Sequence, residues 1–142
     1  MTPQLTATSS IIIKASLAKV WHALTDPETI KKYLFGTNTF TDWKVGSPIY
    51  FRGEWEGKSY EDKGVILEII PEKILKYSYW SSMSGTEDKP ENYQVVSYLV
   101  KPIEEQTELT IVQEGSKSEK TKNHTEQNWK TIMDGLKTIV ES

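Results

Sequence analysis

The most regular pattern of hydrophobic and polar positions lies near the C-terminus, in residues 123–140. Apolar residues recur there at offsets of three, four, seven, ten and eleven from the first one, which is the spacing of one face of an α-helix. These residues are Trp129, Ile132, Met133, Leu136, Ile139 and Val140. Ser116 with Glu119 and Asn123 with Glu126 both have the spacing of a capping box, so the start of the helix is ambiguous. The pattern predicts one long amphipathic helix, of about 24 residues if it begins at the earlier cap.

Upstream of this helix the hydrophobic period is mostly two, which predicts β-strands. The predicted strands are Ser10–Ala15, Thr37–Asp42, Pro48–Arg52, Lys58–Ile70, Ile74–Trp80, Tyr93–Lys101 and Thr107–Glu114. Two short helices are predicted after the first strand. Ser16 caps the first helix, and Asp26 followed by Pro27 begins the second, which runs from Glu28 to about Leu34.

These elements predict an antiparallel sheet curled around the long helix, because neither element can hide its apolar face from water alone. With 142 residues, the chain is predicted to form a single α+β domain over residues 1–142, with residues 1–8 flexible. Such an arrangement tends to leave a cavity between helix and sheet. The polar segment Ser81–Pro90 is predicted to be a long loop, either solvated or acting as a lid over that cavity.

Composition and charge weigh against several classes of function. The chain has 17 basic and 20 acidic residues, a net charge of −3, and Arg52 is its only arginine. Because arginine is the side chain best suited to bidentate hydrogen bonds with phosphate and guanine, we expect no nucleic-acid partner. The lack of cysteine excludes disulfides and thiolate metal sites. No signal peptide or spanning apolar run is present, so we expect a cytoplasmic protein without membrane insertion.

The sequence contains no constellation typical of catalysis or of a metal site. His22 and His124 are the only histidines, and neither has a partner at metal-ligand spacing. No serine occurs in the GxSxG context of a nucleophile elbow. The carboxylates Glu54, Glu61 and Asp62 lie close in sequence, but the pattern identifies none of them as sheltered. We therefore predict no catalytic residue, no metal and no cofactor.

Aromatic residues give the strongest indication of a binding site. Phe51, Tyr77, Tyr79, Tyr98 and Trp129 come from strands and a helix that are expected to face one another. Inward tyrosine hydroxyls need polar partners, from each other, from water or from a bound molecule. The five side chains either line a cavity for an apolar molecule with one or two polar atoms, or form an ordinary packed core.

Two further residues are candidate ligand contacts. Met133 is flexible and polarisable, which suits an adaptable pocket wall, although packing in the core is the alternative. Arg52 would anchor an acidic head group if it pointed inward. The alternative is that Ile49 and Phe51 point inward, so that Arg52 points to solvent and pairs with a carboxylate, which would add little to stability.

Six segments, in this order along the chain, carry a family resemblance: VWHALTDPETI (20–30), DWKVGSPIYF (42–51), GVILEIIPEKILKYSY (64–79), VSYLV (96–100), TELTIVQEG (107–115) and NWKTIMDGLKTI (128–139). They resemble the motifs of the activator of heat shock protein 90 ATPase homologue family, over nearly the whole chain. That family belongs to the START-like (SRPBCC) superfamily, with the birch pollen allergen fold. The resemblance implies a helix-grip fold, in which a curved seven-stranded antiparallel sheet wraps around a long C-terminal helix.

The chain departs from the pattern of that family at four positions. Tyr33 and Tyr79 stand where the family usually has tryptophan, Gln113 where it often has histidine, and Asn128 where it has glycine. These departures imply a slightly more polar interior.

Three functions remain open. The resemblance implies a domain that binds a small apolar or amphipathic molecule, or a co-chaperone-like module that contacts a heat shock protein 90 type chaperone. An enzyme is the third, because other branches of the superfamily include cyclases and hydrolases. The aromatic interior favours the first. We expect a monomer or a weak dimer, in which exposed strand edges would pair.

Overall fold

The computed structural model describes residues 5–82 and 85–141, which form seven strands and three α-helices. In chain order the elements are β1 (Leu5–Ile13), α1 (Leu17–Thr25), α2 (Pro27–Tyr33), β2 (Asn38–Phe40), β3 (Pro48–Trp55), β4 (Lys58–Ile70), β5 (Ile74–Ser81), β6 (Gln94–Ile103), β7 (Gln106–Ser116) and α3 (Glu119–Glu141). A single 3₁₀ turn, Pro90–Asn92, precedes β6.

The strands form one antiparallel sheet in the order β1-β7-β6-β5-β4-β3-β2. Strands β2 to β7 follow one another as neighbours, and β1 crosses over to pair with β7. The curved sheet and the long C-terminal helix confirm the predicted α+β fold, including the two short helices after the first strand.

Helix α3 packs across the sheet through the apolar face that its sequence predicts. Met133, Leu136 and Val140 are buried in the core, and the other apolar residues of the stripe are partly buried against it. The helix begins near the earlier of the two predicted starts, but its cap is Ser118 rather than Ser116: the Ser118 hydroxyl accepts a 3.1 Å hydrogen bond from the Thr121 amide. Ser116 was the wrong cap because β7 continues to that residue.

The two short helices begin as predicted. The Ser16 hydroxyl accepts a hydrogen bond from the Lys19 amide, and the Asp26 carboxylate accepts one from the Thr29 amide, with Pro27 in the first turn. Side-chain oxygens thus satisfy amides that have no partner inside the helix. Both helices cover one end of the interior with buried Val20, Leu24 and Ile30.

Strand β1 begins five residues before its predicted start, at Leu5. Residues 5–8, part of the segment predicted to be flexible, pair with β7, while residues 1–4 of that segment lie outside the described residues. The sequence pattern did not reveal this part of the strand, because its buried residues Ala7 and Ser9 are small or polar and pack where β1 contacts α3. The Thr8 amide and the Ser9 hydroxyl donate hydrogen bonds to the side chain and the backbone carbonyl of Glu126.

The loop after β5 lies along the outer face of the sheet. Lys63 forms a 2.5 Å ion pair with Asp88, and the Trp80 indole donates a hydrogen bond to Thr86. Lys63 and Trp80 alternate with residues that point inward, so these contacts direct residues 85–90 away from the interior. Of the two alternatives for this loop, the lid therefore finds no support in residues 85–90, and residues 83 and 84 lie outside the described residues.

Candidate functional site

A cavity of about 650 Å³ lies between the concave face of the sheet and the N-terminal half of α3. Strands β3 to β7 supply most of its wall, and the connection between α2 and β2 forms part of its rim. Toward the C-terminal end of α3 the interior is filled by side chains, which include Leu24, Leu109, Met133 and Leu136. The sheet and the helix thus enclose a packed core at one end and an open cavity at the other.

All five aromatic residues predicted from the sequence lie on the cavity wall. Their rings form a continuous series: Phe51 contacts Tyr77 at 5.6 Å between centroids, Tyr77 contacts Tyr98 at 5.7 Å, and Tyr98 contacts Trp129 at 5.8 Å. Tyr79 adds an edge contact to Phe51 at 6.4 Å. These tilted and edge-on arrangements are the favoured geometries of aromatic pairs and give the cavity a largely apolar surface.

Two tyrosine hydroxyls meet at the centre of this aromatic wall. The hydroxyls of Tyr77 and Tyr98 are hydrogen-bonded at 2.9 Å, and both side chains are buried. Burial raises the pKa of Tyr98 to about 12 and raises the pKa of Tyr77 well above its ordinary value, so both stay protonated near neutral pH. One hydroxyl proton is used within the pair, and neither hydroxyl has a second hydrogen-bond partner within residues 5–82 and 85–141.

Gln113 ties helix α3 to the sheet at the cavity. The Trp129 indole N–H donates a 2.8 Å hydrogen bond to Oε1 of Gln113, and the Gln113 amide nitrogen donates to Oε1 of Gln94. This chain of bonds fixes the Trp129 ring against the wall. Sequence reasoning did not place Gln113 in the site, although the family resemblance singled out the position.

Asp62 is a sheltered carboxylate that sequence reasoning missed. It lies on the cavity wall, where Oδ2 accepts a 2.7 Å hydrogen bond from the Tyr79 hydroxyl, and Oδ1 is buried without a hydrogen-bond partner in the described residues. Burial raises the pKa of Asp62, and hydrogen bonds from the side chains of Tyr79 and Ser81 and from the backbone of Ser82 offset this only in part. Burial and the nearby Asp62 likewise raise the pKa of Tyr79 well above its ordinary value.

A signal for Asp62 was present in the sequence. Glu56 and Gly57 both have positive φ and form a two-residue hairpin turn, which sets Phe51 opposite Asp62 in the register of β3 and β4. Residues that face each other across antiparallel strands point to the same side. Pairing the residues on either side of the turn at Glu56 and Gly57 places Asp62 opposite Phe51. An inward Phe51 would therefore have predicted an inward Asp62.

The rim of the cavity combines exposed and polar side chains. Phe35 lies on the rim with 64% of its surface exposed, in a backbone conformation with φ of 54° just before Gly36. The hydroxyls of Thr37 and Tyr60 are hydrogen-bonded to each other on the wall below it. His124 lies on the rim from the side of α3.

The remaining two predicted contacts lie elsewhere. Met133 is buried in the packed core and is absent from the cavity wall, because it lies one turn of α3 beyond Trp129. Arg52 lies on the outer face of the sheet, where it pairs with Glu61 at 2.6 Å and stacks over Tyr50. Since it alternates with the inward Phe51, it cannot reach the cavity as an anchor.

Three of the four departures from the family pattern lie on the cavity wall: Tyr79, Gln113 and Asn128. The fourth, Tyr33, is buried beside it and donates a hydrogen bond to the Ala23 carbonyl. The predicted increase in polarity therefore falls on the surface that a bound molecule would touch.

Within residues 5–82 and 85–141, no three histidine, aspartate or glutamate side chains come together as a metal site would require. In the same residues no helix has the length and apolar character needed to cross a membrane.

Comparison with known proteins places this geometry in a family. The family model described as "Activator of Hsp90 ATPase homolog 1-like protein" matches residues 14–141. A protein from Cytophaga hutchinsonii with a solved solution structure is 44% identical, with 99% of this chain and 97% of that chain covered and a TM-score of 0.86. No curated protein matches the sequence.

More distant solved structures share the fold. The Aha1 dimer from Colwellia psychrerythraea is 21% identical, with 96% of each chain covered and a TM-score of 0.72. DynU16, a protein of the dynemicin biosynthetic locus, is 14% identical over 96% of this chain and 47% of its own, with a TM-score of 0.80.

Proposed function

The chain belongs to the family of Activator of Hsp90 ATPase homolog 1-like proteins, and we propose that it is a non-catalytic, cytoplasmic protein that binds a small, largely apolar molecule in the cavity between α3 and the sheet. The observation that carries this proposal is the cavity itself, with its continuous series of aromatic rings.

The size and chemistry of the cavity support this function. Cavities of roughly 300 to 1,000 Å³ are typical of sites for small molecules, and the one here has about 650 Å³. Its wall is mainly aromatic, with a few polar groups, which include the Tyr77 and Tyr98 hydroxyls and the Asp62 carboxyl. Such a wall buries an apolar body by the hydrophobic effect and orients it by one or two hydrogen bonds.

Native mass spectrometry of the purified protein tests the proposal. We expect a mass excess that disappears on denaturation and that identifies the class of ligand. Ile132→Trp places a large side chain on the cavity wall and should abolish the excess. Thr131→Trp adds the same side chain on the exposed side of α3 and should leave it unchanged. A bare wild-type peak, together with no gain in thermal stability from small aromatic compounds, would refute the binding function.

A second function, as a module that contacts a chaperone, is favoured by the description of the family and by the likeness to the Aha1 dimer. The outer face of the sheet exposes apolar side chains such as Val65, Leu67 and Leu99, which a protein partner would cover. An ATPase assay with the heat shock protein 90 type chaperone of the same organism tests it. Stimulation of the ATPase rate is expected under this function, and an unchanged rate with no complex in a pull-down would count against it.

A further inference from the structure

The described cavity wall carries one carboxylate and no lysine or arginine. Asp62 is that carboxylate, and His124 on the rim is the other ionisable group besides the tyrosines. The neighbouring Lys63 points to the outer face and is paired with Asp88. None of the chain's 17 lysine and arginine residues lies on the described cavity wall, so no cationic side chain balances the charge of Asp62 there.

The Asp62 carboxyl also has unused capacity to accept hydrogen bonds. An ionised carboxylate offers about four acceptor positions. Oδ2 receives the Tyr79 hydroxyl, and Ser81 and the Ser82 backbone also contribute hydrogen bonds to the carboxyl. Oδ1 is nevertheless buried without a partner of good geometry in the described residues. Buried carboxylates are ordinarily paired or fully hydrogen-bonded, because removal of the charge from water is unfavourable. Its raised pKa is consistent with this deficit.

The aromatic wall begins directly beside this carboxyl. Phe51 lies opposite Asp62 in the strand register, and the Tyr79 ring contacts Phe51 while its hydroxyl binds Asp62. A molecule whose apolar body lies on these rings therefore has its polar end within reach of the carboxyl.

Resting on the proposed function, we propose that the bound molecule carries a hydrogen-bond donor, an ammonium or a hydroxyl group, that docks on the Asp62 carboxyl while its apolar body covers the aromatic wall. An ammonium group supplies the positive charge that the wall lacks, and aromatic ring faces also attract cations. A ligand carboxylate would instead place a second negative charge beside Asp62.

Three probes with one aromatic body and different head groups test this inference: naphthylethylamine, naphthylethanol and naphthylacetate. Their dissociation constants are measured by calorimetry at neutral pH. Because hydrogen bonds to charged groups are the stronger ones, we expect the amine to bind at least about tenfold more tightly than the carboxylate, with the alcohol between them.

Asp62→Asn should remove this order, so that the three probes bind with similar affinity. Glu61→Gln is the matched control, because it removes one negative charge at the adjacent position on the outer face and should preserve the order. The order in the wild-type protein is informative even if Asp62→Asn fails to fold.

The possible outcomes separate the inference from the function on which it rests. Equal affinity for the three probes, a preference for the carboxylate, or an order that survives Asp62→Asn would overturn the role of Asp62 and leave the binding function intact. Absence of binding by all three would overturn both.

Discussion

The Tyr79 hydroxyl donates a 2.7 Å hydrogen bond to Oδ2 of Asp62, and this bond joins neighbouring strands β5 and β4 on the wall of the cavity. Tyr79 is uncharged, as are the other donors to this carboxyl, Ser81 and the Ser82 backbone, so their bonds offset only part of the cost of burying the carboxylate. Asp62 therefore binds its proton more tightly in the folded protein than in the unfolded chain. This difference makes the stability of the protein depend on pH.

We expect Asp62→Asn to gain stability relative to the wild type as pH rises from about 4. Between the ordinary pKa of 3.8 and the raised pKa of Asp62 in the folded state, the folded wild-type protein holds more protons than the unfolded chain. The stabilising contribution of Asp62 in the wild type is fully present below the ordinary pKa of 3.8 and is lost as pH rises through the raised pKa of the folded state. The asparagine variant lacks this loss. Urea unfolding of both proteins over a pH series measures the difference.

Asp88→Asn provides the opposite case. Hydrogen bonds from Lys63 and Tyr93 lower the pKa of Asp88, so its contribution is present above its unfolded value and is lost as pH falls. Relative to the wild type, Asp88→Asn should be least stable at neutral pH and should recover on acidification.

A stability difference for Asp62→Asn that does not change with pH would contradict the prediction made for that variant.

The paired hydroxyls of Tyr77 and Tyr98 should contribute to stability as a unit. Tyr77→Phe or Tyr98→Phe leaves one buried hydroxyl without its partner, and each variant should lose about 1 kcal/mol of unfolding free energy. The double variant removes both polar groups and should lose less than the sum, with a coupling of roughly 0.5 to 1.5 kcal/mol. Denaturant unfolding of the four proteins measures this cycle. Strict additivity would mean that water or a ligand, rather than the partner hydroxyl, satisfies each tyrosine.

The fold was largely predictable because its two strongest signals are local. Strand β4 has the predicted bounds, Lys58–Ile70, and the apolar stripe of α3 faces the core along its length. The stripe of α3 repeats over more than ten residues, so a single exception does not hide it, and β4 is bounded by the turn residues Gly57 and Pro71. Strand β1 was placed too late because its first half, which includes Ala7 and Ser9, packs against α3 with small or polar side chains.

The site was predictable in its aromatic part only. Periodicity shows which face of an element is buried, and this was sufficient for Phe51, Tyr77 and Trp129. It does not show how far along α3 the cavity extends, so Met133 was included although the core is filled there. A charged residue such as Asp62 is by default expected to be exposed. Its burial depends on register across a turn, which the pattern within one strand does not reveal.

Gly64→Ala should destabilise the protein strongly. A Cβ at this position would lie 1.6 Å from the backbone carbonyl oxygen of Ser78, so strand β4 and strand β5 would have to separate. We expect a loss of at least about 2 kcal/mol in unfolding free energy. Gly135→Ala is the control, because its Cβ would meet only Tyr33 at 3.9 Å and alanine favours the helix by up to about 1 kcal/mol. Urea unfolding should therefore give shifts of opposite sign, and a neutral Gly64→Ala would show that the two strands are less closely apposed.

Arg52 offers a test of which face of the sheet is functional. Its side chain is half exposed, pairs with Glu61 and stacks over Phe40 and Tyr50 on the outer face. Exposed ion pairs contribute little, because water screens the charges and two long side chains must be held in place, so Arg52→Ala should lower stability by less than about 1 kcal/mol. It should also leave the affinities of the three naphthyl probes unchanged, since the sheet separates Arg52 from the cavity. Calorimetric titration of the variant measures this, and a clear loss of probe binding with the fold intact would move the binding site to the outer face.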